Sequence, residues 1–142
     1  MKLTERQKRT EKTLSKFRGR GFKWDGGATC IHLFRTHLKN MGHKVPVVPR
    51  FTSALTAKRA MDAAGFRDLE ALADSFLQRI PPAMMLLGDI ALMQSDEHFD
   101  QQKLFDALVI SAGPGGKVFG WHPDAPALAN LVPLDIKVAW RV

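Results

Sequence analysis

Along the first half of the chain apolar residues recur at three- and four-residue spacing, the repeat of an amphipathic helix. The stripe is clearest over residues 28–41, where Ile31, Phe34, Leu38 and Met41 share one face and Gly42 ends the run. Residues 53–64 predict a second helix, with Leu55, Ala60 and Met61 inward and Gly65 as its terminator. Asp68 is placed to cap a third over residues 69–80, whose Leu69, Leu72, Phe76 and Ile80 form another stripe before Pro81-Pro82 breaks it. Upstream of these, residues 4–17 contain neither Gly nor Pro, and Thr4 with Gln7 has the form of a capping box. Only Leu14 and Phe17 give that helix an apolar face, so its order has to come from docking. Residues 45–51, with Pro46 and Pro49, read as an extended connector over the surface.

The texture changes after Gly88. Residues 89–93 are a short apolar run, residues 94–103 a polar excursion, and residues 104–111 a second run. Gly113-Pro114-Gly115-Gly116 makes a hairpin turn, answered by a third strand over 117–121. Residues 123–131 read as an irregular or short helical insertion, and residues 136–142 as a final strand. Helices first, then an antiparallel meander, predict an α+β fold.

At 142 residues the chain has room for one core, and 45% hydrophobic against 25% charged residues excludes wholesale disorder. No apolar run approaches the roughly 20 residues of a membrane-spanning helix. The opening Met-Lys-Leu-Thr-Glu-Arg predicts no secretory signal, and a single cysteine, Cys30, cannot form an internal disulfide. A net charge of +7 is confined to residues 1–24, where nine Lys and Arg face only Glu5 and Glu11; the rest is balanced, 12 basic against 12 acidic. The division expected is a basic N-terminal arm or helix over residues 1–20 and a single α+β domain over 21–142. Such an arm suits phosphate, an acidic partner or a membrane surface, or is simply solvated.

Cys30 is the first candidate for chemistry. It follows a glycine-rich turn at the start of the 28–41 helix, where unpaired amides stabilise a thiolate. The alternative is a small buried residue packing the helix start. A nucleophile also needs a base. His32 and His37 share the helix of Cys30 at unsuitable offsets and His43 lies beyond it, which leaves His122, closing the third strand, and His98, in the polar excursion. The spacing of His32, His37 and His43 does not make a metal pair, no cofactor motif is present, and Asp89 and Asp106 read as strand-end aspartates.

Four stretches carry a family resemblance: Phe22-Lys23-Trp24-Asp25-Gly26-Gly27-Ala28-Thr29-Cys30, Ala63-Ala64-Gly65-Phe66, Ile80-Pro81-Pro82-Ala83 with Leu87-Gly88-Asp89-Ile90-Ala91, and Val138-Ala139-Trp140-Arg141-Val142. Together they resemble small tail proteins of tailed phages, distant relatives of the NlpC-type papain-like cysteine peptidases. The resemblance implies a papain-like core, with the Cys-bearing helix packed on an antiparallel sheet, and a product at the tail tip or in its assembly. Active peptidases of this fold carry Asp-Cys at the helix start and a histidine in the second strand. Here Thr29 precedes Cys30, and that strand reads Asp106-Ala107-Leu108-Val109-Ile110, with alanine at the aligned position. Losing such a base costs orders of magnitude in rate.

The expected function is therefore a virion structural component on a degenerate peptidase scaffold, made in the host cytoplasm and bound to other tail-tip proteins. One alternative is an active cysteine hydrolase cutting peptidoglycan peptides during entry, with Cys30 as nucleophile and His122 or His98 as base. The other is a nucleic-acid-binding protein using the basic arm, against which the balanced body counts.

Overall fold

In the computed structural model, residues 1–45, 47–93, 106–121, 126–133 and 135–142 are described. Four helices come first: α1 (Leu3–Phe17), α2 (Cys30–Asn40), α3 (Ala54–Ala63) and α4 (Leu69–Asp74). Six strands follow: β1 (Gln78–Ile80), β2 (Ile90–Met93), β3 (Ala107–Ser111), β4 (Val118–Gly120), β5 (Ala129–Leu131) and β6 (Ile136–Arg141). They form one antiparallel sheet in the order β1-β6-β2-β3-β4-β5, so the architecture is α+β.

Alternation along the strands sorts the sheet into two faces. Ile90, Leu92, Leu108, Ile110 and Trp140 join the helices in the main core, while Ala91, Val109, Val118 and Ala139 form a smaller cluster. Leu108-Val109-Ile110 reads as a continuous apolar run because both of its faces are buried. The core is completed by Phe17, Ile31, Leu33, Phe34, Leu38, Met61 and Leu72, all almost fully buried.

Local signals decide several boundaries. Ser53 and Thr56 make a reciprocal capping box on α3, and Asp68 Oδ1 accepts the Ala71 amide at 2.7 Å to start α4. Other expectations fail for tertiary reasons. The helix over 69–80 stops at Asp74, and Gln78, Arg79 and Ile80 pair instead with Arg141, Trp140 and Ala139. Leu55 is 43% exposed, and Ala57 takes the inward position on α3. The 123–131 insertion contains β5, an edge strand paired with β4. Val48 and Phe51 of the proline-containing connector are buried, so this segment is anchored in the core. Thr4 lies inside α1, whose N-cap is Lys2, without a side-chain cap bond.

α1 itself is docked, and mostly by polar residues. Its inner side carries Arg6, Thr10, Thr13, Leu14 and Phe17. Arg6 spreads its guanidinium over three acceptors: Nε donates to Leu87 O at 2.8 Å, Nη1 to Val142 O at 2.7 Å and Nη2 to Asp89 Oδ1 at 2.7 Å. Asp89, fully buried, also accepts the amides of Val142 (Oδ1, 3.1 Å) and Leu86 (Oδ2, 2.8 Å). Arg141 Nε lies 3.0 Å from Asp89 Oδ2 but is aligned for no hydrogen bond. Gly88 makes the close approach of α1 possible: its φ is +89°, and a Cβ there would lie 2.6 Å from Thr10 Oγ1.

Removing one partner of a buried pair strands the other charge. Arg6→Ala is therefore expected to lower unfolding free energy by about 3–5 kcal/mol, read from urea titration. Lys8→Ala, on the exposed side of α1, should change it by less than about 0.5 kcal/mol. Equal effects would show that Arg6 is not an anchor.

Candidate functional site

The start of α2 is built by Thr29. Its backbone is extended, and its buried Oγ1 accepts the His32 amide at 3.4 Å and meets His32 Nδ1 at 2.7 Å. Cys30 follows as the first residue of the helix, 8% exposed and packed in the main core. The turn before it is closed by a bridge between Lys23 and Ala28, and Arg20 donates from Nη2 to the Gly26 carbonyl.

Aromatic rings surround this end of α2. Phe17 and Phe22 meet Trp121 edge-on at 6.0 and 5.8 Å between centroids, Phe22 meets Trp24 at 5.1 Å, and Trp24 meets Phe51 at 6.3 Å. His32 closes the series 4.9 Å from Phe51. Trp121 Nε1 donates to Arg20 O at 2.9 Å, which fixes the end of β4 against the segment after α1. Edge-to-face pairs of this kind add to the area they bury.

Neither described histidine of α2 is suited to activating a thiol. Burial, reinforced by the positive charges of Arg35, Arg20 and Lys16, holds His32 at a pKa of about 4. A base works best with its pKa near the operating pH. His37 is also held at about 4, chiefly by burial, and both its nitrogens are engaged. Nε2 lies 2.7 Å from the Gly88 carbonyl, which only accepts, so the proton is on Nε2. Nδ1 then accepts from Thr13 Oγ1 at 2.8 Å, and Thr13 Oγ1 in turn accepts from Asn40 Nδ2 at 2.9 Å. The chain of donors runs from Asn40 through Thr13 and His37 to Gly88.

The structure thus places Cys30 at the helix start. His98 and His122 lie outside the described residues. Asp89 belongs to the Arg6 network, and Asp106 Oδ2 accepts from Lys137 Nζ at 2.9 Å, so each carboxylate has its own cation. Among the described residues no three His, Cys, Asp or Glu side chains gather to hold a metal ion, and no helix is long and apolar enough to cross a membrane.

Sequence reasoning missed the buried polar centre of Arg6, Thr13, His37 and Asp89. A signal was available in the spacing of Arg6, Thr10, Thr13 and Phe17, which is a helical stripe written largely in polar residues. His37 likewise falls on the buried side of α2, next to Phe34 and Leu38.

A family model described as a domain of unknown function matches residues 1–142. The chain belongs to the DUF6950 family. The DUF6950 match takes in α1 together with the Cys30 helix and the whole sheet. No curated protein and no solved structure matches the chain.

Two outcomes follow from this geometry. Because His37 titrates near 6.5 when unfolded and near 4 when folded, the unfolded chain binds more protons between those values. Its contribution to stability is complete above pH 6.5 and is lost as the pH falls toward 4, by up to about 3 kcal/mol. His32, only partly buried, adds a smaller, solvent-screened part of the same sign. Urea titrations across this range should show the slope, and His37→Gln should remove most of it. The buried Cys30 thiol should react with iodoacetamide far more slowly in the native protein than in urea; equal rates would contradict its burial.

Proposed function

We propose that the protein is a structural component of a phage tail tip or of tail assembly, using a papain-like (NlpC-type) scaffold without peptidase chemistry. The observation that carries this reading is the start of α2. Cys30 opens a helix packed against β3 of an antiparallel sheet, the layout the resemblance implies, yet β3 begins with Ala107 where that layout would supply a base. His32 and His37 do not replace it, being neutral, weakly basic and bonded to Thr29, Thr13 and Gly88. The thiol is packed among core side chains, which favours a role in shape over one in reaction.

Two of the quoted stretches, residues 87–91 and 138–142, also meet in space. Gly88-Asp89 is joined to the end of β6 by the Val142 amide, and Ile90 pairs with Trp140. These two stretches therefore join neighbouring strands at the centre of the sheet.

The test is genetic and chemical. Purified particles of a phage encoding the chain should contain it, and deleting its gene should leave particles without working tails. Cys30→Ala should support infection as well as the parent. Normal, infectious tails without the protein would sink the structural role. Release of muropeptides from sacculi, lost in Cys30→Ala, would replace it with the hydrolase reading.

A further inference from the structure

The basic surplus of the N-terminal residues sits on a fixed surface. While Arg6, Thr13, Leu14 and Phe17 hold the inner side of α1, its outer side carries Lys8, Lys12 and Lys16, all exposed and one helical turn apart. α2 lies antiparallel beside it, with Asn40 bonded to Thr13 at 2.9 Å and Lys16 Nζ 3.5 Å from Thr36 Oγ1. Lys39 adds a further exposed cation from α2. The two carboxylates of α1 are taken by other residues: Glu5 binds Arg9 at 2.9 Å and Glu11 binds Arg18 at 2.6 Å. Among the described residues, Lys8, Lys12 and Lys16 form no salt bridge.

We propose that this two-helix face docks an acidic helix of a partner protein, whose carboxylates repeat one turn apart and meet Lys8, Lys12 and Lys16 in register. The inference rests on the reading of the protein as an assembly component and names the chemistry of its neighbour. The repeat selects the occupant. Three lysines at i, i+4 and i+8 advance about 6 Å per step, and a second helix running alongside repeats at the same pitch. A duplex strand, whose phosphates advance about 3.4 Å per residue along the axis, also winds around that axis, so its phosphates turn away from a straight row. The row also has no exposed aromatic side chain between its lysines on which bases would stack. Because α1 is already ordered by its buried anchors, docking does not have to fold it. Contacts of this kind set register and association rate, and weaken with salt.

The full chain should be titrated at low salt against two labelled Ala-rich helical peptides of identical composition. One carries glutamates at i, i+4 and i+8; the other carries the same glutamates on three different faces. Duplex and single-stranded DNA serve as further probes. The aligned peptide should bind at least about tenfold tighter than its isomer. The triple change Lys8→Glu, Lys12→Glu and Lys16→Glu should abolish that preference, as should the milder triple change to Gln if the reversal fails to fold. Lys117→Glu, an exposed change at the hairpin turn, should leave it intact. Equal binding of the isomers, an equal loss in Lys117→Glu, or DNA binding tighter than the aligned peptide overturns the proposal. No phage particle enters this assay, so its failure is separate from a failure of tail incorporation.

Discussion

The buried ion pair of Arg6 with Asp89 ties α1 to the end of the sheet. Two desolvated charges survive in an interior only when their remaining hydrogen-bonding capacity is met. Here Asp89 takes two main-chain amides besides Arg6, and Arg6 takes two main-chain carbonyl oxygens besides Asp89. An apolar face alone would set the position of α1 along the sheet less sharply. A planar guanidinium aimed at three separate acceptors sets it more sharply, because its donors are held in a rigid fork. Leu14 and Phe17 supply the burial, and Arg6 supplies the register.

The same principle holds α2 at two points along its length. At its start Thr29 caps the helix and meets the His32 ring; toward its end His37 bridges α1 and the Gly88 turn. Both imidazoles work as neutral groups, so α2 is positioned by rings that must stay uncharged among cations such as Arg6 and Arg20. This environment governs Cys30 as well. The thiol occupies the position where a nucleophile would be placed, while the nearby histidines of its own helix are committed to architecture.

What the sequence revealed divides along the range of the interactions involved. The helices of residues 28–41 and 53–64 were readable because their caps and stripes are local, and the placement of Cys30 after Thr29 came with them. The glycine turn between β3 and β4 was equally plain, with Gly113, Gly115 and Gly116 all at positive φ. The end of the 69–80 stripe was not, because Gln78–Ile80 obeys its partner β6 rather than its own periodicity. β5 escaped notice because three residues at a sheet edge carry too little alternation. Arg6 passed for one more charge in a basic run, since its acceptors lie 81, 83 and 136 positions away.

Placing β6 between β1 and β2 also dictates when the sheet can form. During synthesis β1 and β2 emerge well before residues 136–141, and neither pairs with the other in the finished sheet. Until β6 arrives, β1 has no strand beside it, β2 has only β3, and Arg6 lacks its acceptor at Val142. Closing so many long-range contacts late makes folding slow and leaves strand edges open in the meantime. In a nascent chain of this topology, β1 and one edge of β2 can be paired only after β6 has been made.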